Sequence, residues 1–283
     1  MNNNLLIRIT FSFVLLTFLE NVSGQVADFN QIRWEREKIA PGLIWKSSHT
    51  ILDDSIPQNI NILIINLHKR KIALSYNPEE NITVSRQATG NGALAAVNAG
   101  FFNIKDGGSV TYIKTRGLIT DTDTAKKWKR NLNFDGAIVI DTNGQAIIEY
   151  AKANHYYDSH PKYREVLVTG PLLIRNWAKS VLPVTSLVVN KHPRTSMGIL
   201  ARHRVVLVTV DGRAVQSKGM NLSELTDLML SLHCKDAVNL DGGGSTTMWI
   251  TGKPFNGVVN MPSDNKKFDH EGERAVADIL VIK

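Results

Sequence analysis

A chain of 283 residues, 43% hydrophobic and 21% charged, can bury a sizeable core, which excludes a low-complexity or disordered polymer. Its single cysteine, Cys234, excludes an internal disulfide, so the fold must hold without covalent staples. The net charge of +7 favours anionic partners, but the Lys and Arg residues are scattered and accompany no nucleic-acid-binding motif, which points away from nucleic acid and towards an acidic small substrate or an anionic glycan.

In chain order, Arg8 precedes the apolar run Ile9 to Leu19, and the small residues Val22, Ser23 and Gly24 follow. That run is shorter than the ~20 residues that span a bilayer. Residues 1–24 are therefore expected to be a secretory signal peptide, cleaved after Gly24 and leaving no stable membrane anchor. Without disulfides, such a chain is expected to be an exported bacterial protein, periplasmic or secreted.

Residues 25–85 read as an N-terminal segment or subdomain. Within it "WEREKIAPGLIWK" predicts a leading strand or short helix broken at Pro41-Gly42, and "INILIINLHKRKIALSYNP" from Ile60 predicts a hairpin turning at His68-Lys69-Arg70. "GNGALAAVNAGFFN" joins a small-residue stretch to a buried strand, and the loop "DGGS" leads to a strand or turn through Tyr112 to Ile119. Further strands are predicted over 136–140, 146–150, 166–169, 172–174, 195–200, 204–210 and 237–240. One helix is well signalled: Asn221 caps it, Glu224 completes a capping box, and Leu225, Leu228, Met229 and Leu232 share a face. Its expected end, His233-Cys234-Lys235, makes Cys234 a small buried thiol rather than a nucleophile. The predicted fold is α+β, a large mixed or antiparallel sheet with packed helices, with one main domain over residues 86–283.

Four stretches carry candidate chemistry. "NLDGGGSTTMWI", Asn239 to Ile250, places Asp241 at a strand end before Gly242, Gly243 and Gly244, whose backbones can enter regions closed to other residues. A nest of backbone N–H groups that binds an anion becomes possible there, with hydroxyls from Ser245, Thr246 and Thr247 beside it. An ordinary hairpin turn is the bland alternative, yet three successive glycines cost more chain entropy than such a turn requires. "VNAGFFN" sets Asn98 at a strand end. "HPRTSMGIL" offers Arg194 and Thr195 at the mouth of a strand, the guanidinium suiting phosphate. "VLVTVDGR" ends a strand in Asp211, Gly212 and Arg213.

Taken together, "NAGFF", "RTSMG", "VDGR" and "NLDGGGSTTM" resemble the phosphodiester glycosidase family over roughly residues 86–283. The resemblance implies that Asn98, Arg194, Asp211, Arg213, Asp241 and the loop Gly242 to Thr246 converge on one pocket. It also implies removal of a sugar, N-acetylglucosamine in the animal member, from a phosphodiester. A phosphate monoester is a good leaving group, so such a reaction needs anion binding more than a strong general acid. On this reading Ser245, Arg194 and the glycine nest seat the phosphate, Asn98 orients the sugar or a phosphate oxygen, and a carboxylate stabilises the developing sugar cation or activates water. Asp241 is the first choice for that carboxylate and Asp211 the second, with Glu149, Asp135 and Glu271 as rivals. Asp241 and Asp211 can also ligate a divalent cation, but no Asp-x-Asp-x-Asp loop or paired-His spacing is present, so no cofactor or metal is expected to be required. Competing readings are a glycosidase acting on an exported polysaccharide, which needs two opposed carboxylates, a phosphodiesterase that cleaves the other P–O bond, and a noncatalytic anionic-glycan-binding protein.

Overall fold

The computed structural model describes residues 29–52, 56–122 and 133–283; residues 1–24, the expected signal peptide, lie outside the described residues. The fold is α+β and dominated by sheet, with four short α-helices among the described residues. Eight strands form the largest sheet, in the order Glu35–Ala40, Leu43–Leu52, Ile56–Asn66, Arg204–Val210, Arg194–Leu200, Asp236–Asn239, Leu172–Arg175 and Ala178–Lys179. A five-stranded sheet runs Ala146–Tyr150, Gly136–Asp141, Tyr163–Thr169, Tyr112–Thr115 and Leu118–Thr122. A four-stranded sheet runs Met248–Ile250, Ala95–Asn98, Asp278–Ile282 and Ile72–Tyr76. The paired neighbours are antiparallel.

Period-two alternation explains how the large sheet is buried on both faces. One face presents Ile60, Ile62, Val206, Val208 and Val210 to the helix Leu222–Ser231, which contributes Leu222, Leu225, Leu228 and Met229. Each such side chain, fully buried, contributes roughly 1.5–3 kcal/mol. The other face presents Leu63, Ile65, Met197, Val205 and Leu207 to Val97 and Leu280 of the four-stranded sheet and to Ile113, Ile138 and Leu167 of the five-stranded sheet. Towards one end this inner face turns polar: Ser47 pairs with Asn61, Asn61 with Thr209, and Thr209 with Thr195 in one row across four strands.

Two expectations are corrected, the hairpin over residues 60–78 and the end of the helix, and one alternative is decided. Residues 60–78 form no hairpin, because both edges of Ile56–Asn66 are taken, by Leu43–Leu52 and by Arg204–Val210, and the chain crosses at residues 67–71 into the other sheet, where Ile72–Tyr76 pairs with Asp278–Ile282. The leading segment "WEREKIAPGLIWK" takes the strand alternative, two paired strands with the break at Pro41-Gly42 as the turn between them and Gly42 at φ +83°. The helix stops at Ser231, and His233 at φ +61° turns the chain out, so Cys234 follows the helix. There it is fully buried against Gly198, and burial pushes its thiol pKa up to about 12.

Candidate active site

The polar end of the inner face is organised by Asn98, the last residue of strand Ala95–Asn98 and 1% exposed. Its Oδ1 accepts from Thr195 Oγ1 at 2.7 Å and from the Thr247 amide at 3.1 Å. Its Nδ2 donates to the Asp241 carbonyl at 2.6 Å. Only an amide side chain offers acceptor and donor on one short fork, so Asn98 ties two strands and the glycine loop together. Thr195 is likewise fully buried and serves this knot.

Asp241 lies two residues beyond strand Asp236–Asn239 and is half-buried. Its own Oδ1 accepts from the Gly242 amide at 2.9 Å, and Ser245 hydrogen-bonds the carboxylate. Burial pushes its pKa up to about 6 against the opposing pull of Ser245, Gly242, Arg274 and Arg213. A carboxylate so placed is ionised at neutral pH yet close enough to its pKa to accept a proton.

The glycines after it have separate physical reasons. A side chain on Gly242 would stand 2.7 Å from the Pro193 carbonyl oxygen, and Gly243 sits at φ +61° with the Arg213 guanidinium 2.9 Å from where a Cβ would be. The loop closes as a 3₁₀ turn, Gly243–Ser245, rather than as an open nest. The amide of Gly242 goes to Asp241, that of Gly243 to the Pro193 carbonyl, that of Ser245 to Gly242 and that of Thr246 to Gly243. The expected anion seat of backbone N–H groups is therefore mostly spent internally. Positive charge comes instead from two guanidiniums: Arg213 lies exposed over Gly243, and Arg274 lies against Gly244, within 3.5 Å of Ser245 Oγ and paired with Asp264.

Asp211 is 1% exposed and enclosed by donors: Asn59 Nδ2 at 2.6 Å, Asn260 Nδ2 at 2.8 Å and the Met261 amide at 3.0 Å. Burial raises its pKa to about 6 despite these hydrogen bonds. Asn260 also donates to the Thr246 carbonyl at 3.0 Å, so Asp211 fixes the loop through Asn260. Arg194 stands apart from this group. It is 1% exposed, its Nε donates to the Met220 carbonyl, and one terminal nitrogen donates to the Leu187 and Asn190 carbonyls. Strand alternation explains this: Arg194 and Ser196 face the helix Leu222–Ser231, while Thr195 faces Asn98. Its guanidinium is a structural anchor and not the phosphate ligand expected from the sequence.

Sequence reasoning missed Arg274, Asn260 and Asp264, which come to the loop from a distant irregular stretch. The one sequence signal was "GERAVADIL", where a charged pair precedes a buried strand. There Glu273 receives the amide and hydroxyl of Ser85 at 2.6 and 2.7 Å, holding the segment beside Arg274 in place. The rival carboxylates are engaged elsewhere or exposed: Glu149 pairs with Lys152, Asp135 accepts from the Leu172 amide, and Glu271 faces solvent. Among the described residues no three His, Cys, Asp or Glu side chains converge as a metal-binding group.

Residues 91–283 match the family model for phosphodiester glycosidases. An uncharacterized protein of the SPbeta prophage of Bacillus subtilis is 39% identical over 92 residues, 32% of this chain and 13% of that protein. The bovine N-acetylglucosamine-1-phosphodiester alpha-N-acetylglucosaminidase is 24% identical over 198 residues, 65% of this chain; the chain spans 35% of the bovine protein's length. In structure, the zebrafish catalytic domain of the same enzyme, auto-inhibited by its pro-peptide, superposes with a TM-score of 0.68 over 88% of this chain and 87% of that one, at 18% identity. A hypothetical protein from Synechocystis superposes with a TM-score of 0.66 over 88% of this chain and 63% of its own, at 12% identity. These last two likenesses are of fold alone. With its Asp-Gly-Gly-Gly loop inside the matched residues, the chain belongs to the phosphodiester glycosidase family.

Proposed function

We propose that the protein hydrolyses the anomeric bond of a sugar-1-phosphodiester of the N-acetylglucosamine-1-phosphodiester kind named for the bovine relative, releasing free sugar and a phosphomonoester. The observation that carries this reading is the Asp241 carboxylate, at a pKa of about 6, flanked by Arg213 and Arg274 on two successive glycines. Water adds its oxygen to the anomeric carbon while Asp241 takes a water proton, and the C1–O electron pair leaves with the phosphate. Arg213 and Arg274 offset the charge on the phosphate, with the Ser245 hydroxyl beside them. Asp211, enclosed by three donors, and Asn98, spent on three partners, are positioning residues for the loop in this scheme. The reading includes export, supported by the pattern of residues 1–24, and finding the expressed protein only in the cytoplasmic fraction would count against that part.

The test is hydrolysis of UDP-N-acetylglucosamine and of the methyl ester of N-acetylglucosamine-1-phosphate in 18O-water, with and without chelator, by wild type and Asp241→Asn. Expected are free sugar carrying the label and a loss of at least ~10³-fold in kcat for Asp241→Asn. Label in the phosphate product instead would assign attack at phosphorus and cleavage of a P–O bond, the reaction of a phosphodiesterase. Saturable binding of either compound without turnover would leave a glycan-binding protein.

A further inference from the structure

At the end of the four-stranded sheet away from Asn98 lies a cavity of about 400 Å³. This is within the ~300–1,000 Å³ range of small-molecule sites. Along strand Asp278–Ile282, Ile279 pairs with Asn98 and Ile282 with Ala95, so Lys283 at the cavity stands roughly 13 Å along the sheet from the level of Asn98. Arg70, Lys71, Arg116, Arg164 and Lys283 line the cavity, against two carboxylates, Asp141 and Glu165. We infer that this cavity binds a phosphate group carried on a hydroxylated skeleton, a sugar phosphate or polyol phosphate, at a site separate from Asp241. The inference does not rest on the reaction proposed above.

Charge, a buried carboxyl oxygen and an unusual turn each support it. Among the described residues Arg164 pairs with Glu165 at 3.6 Å, while Arg70, Lys71, Arg116 and Lys283 pair with no carboxylate. Such an excess of guanidinium and ammonium groups suits the several oxygens of a phosphate. Asp141 is turned to its own chain: its Oδ1 accepts from the Asn143 and Gln145 amides at 2.8 and 2.9 Å and sets the turn there. Glu165 is 4% exposed, and burial raises its pKa against the opposing pull of Arg116, Arg164 and Leu74. Its Oε2 is buried without a hydrogen-bond partner. Buried polar atoms are rarely left so, and a carboxyl oxygen in either protonation state can bond a ligand hydroxyl, which is why the skeleton is hydroxylated. Arg116 and Gly117, at φ +52° and +81°, form the two-residue turn between Tyr112–Thr115 and Leu118–Thr122. The first place in such a turn favours Asn, Asp or Gly, so Arg116 is held in an unfavourable backbone conformation on the cavity wall.

Folding gathers basic runs that the sequence keeps far apart. The Leu67 amide donates to the His203 carbonyl at 2.9 Å, which brings "HKRK", residues 68–71, beside "ARHR", residues 201–204. The Lys71 amide donates to the Lys283 carbonyl at 3.0 Å and the Lys283 amide to the Lys71 carbonyl at 2.9 Å. Arg70 Nε donates to the Pro41 carbonyl at 2.7 Å, which fixes its guanidinium. Lys69, Arg202 and Arg204 are exposed and extend the positive surface beyond the cavity. The phosphate therefore has two sources: a free phosphomonoester, or one unit of an anionic polymer that runs on over this surface.

The experiment is calorimetric titration of the purified protein at ~50 mM salt with glucose 6-phosphate, glycerol 3-phosphate and inorganic phosphate, using wild type, Lys71→Gln, Arg116→Asn and Arg213→Gln. Asn is favoured at positive φ in such a turn, so Arg116→Asn removes the charge and keeps the backbone, checked by melting temperature. Expected is saturable binding of at least one of the two esters, about tenfold tighter than inorganic phosphate, weakened about tenfold in Lys71→Gln and in Arg116→Asn and unchanged in Arg213→Gln. No saturable binding of either ester, equal affinity for inorganic phosphate, or a loss confined to Arg213→Gln would overturn the site. A poly(glycerol phosphate) chain separates the two sources. An affinity about tenfold or more above that of glycerol 3-phosphate, lost in Arg116→Asn, would assign a polymer, and no gain over glycerol 3-phosphate would assign the free phosphomonoester.

Discussion

At Asp241 a single carboxylate gathers burial, a hydroxyl, a backbone amide and two nearby guanidiniums, and burial dominates. Its ionised form is the one that takes a proton, so kcat/KM for the methyl ester is expected to rise with pH and level off above about 6. A profile flat from pH 4.5 to 8 would remove Asp241 from the chemistry. Gly243→Val is expected to abolish turnover, since a β-branched residue is strained at φ +61° and its Cβ would displace Arg213, while circular dichroism stays that of wild type. Asp211 has a linked effect on stability. Its folded pKa, about 6, lies above the unfolded value, so its contribution is fully present below pH ~4 and is lost as pH rises through about 6. Urea unfolding should therefore show roughly 2 kcal/mol less stability from this group at pH 7 than at pH 4, a difference that shrinks in Asp211→Asn. The sequence placed both aspartates at strand ends beside glycine, but nothing in spacing said that one would be enclosed by Asn59, Asn260 and Met261 and the other left half open.

Among the elements, the helix Leu222–Ser231 was the most legible, because its cap is local chemistry: Asn221 accepts from the Glu224 amide and Glu224 accepts from the Asn221 amide, each at 2.9 Å. Asn221→Ala is expected to cost about 1 kcal/mol. A melting temperature lower by ~2–4 °C would register it. Strands such as Arg204–Val210 were legible from runs of β-branched residues, whereas their partners were not. Ile56–Asn66 and Ile72–Tyr76 are joined by a short turn and read as a hairpin, yet the first pairs with the preceding strand Leu43–Leu52 and with the distant Arg204–Val210, and the second with the distant Asp278–Ile282. A turn signal reports that the chain bends and carries no information about which strand edge is already occupied.

For the whole molecule, the strands Glu35–Ala40, Leu43–Leu52 and Ile56–Asn66 belong to the eight-stranded sheet that also carries Thr195. Ile56–Asn66 pairs with Arg204–Val210 over seven residues, and Ile60, Ile62, Leu63 and Ile65 enter the two largest core clusters. A fragment of residues 91–283, the stretch matched by the family model, is therefore expected to fail to fold, giving no cooperative melting transition, because it exposes an edge of the large sheet and leaves both faces short of core. A fragment that melts cooperatively with native-like ellipticity would contradict this. By itself the sequence determined the α+β class, the capped helix, the Asp241 loop and the family, because these depend on local periodicity, capping and contiguous motifs. Only the tertiary structure decided that Arg194 holds the Leu187, Asn190 and Met220 carbonyls while Arg274 reaches the glycine loop, and that the loop's amides turn inward. Such facts depend on which face of a strand meets which neighbour, a relation between residues distant in the chain that no local pattern encodes.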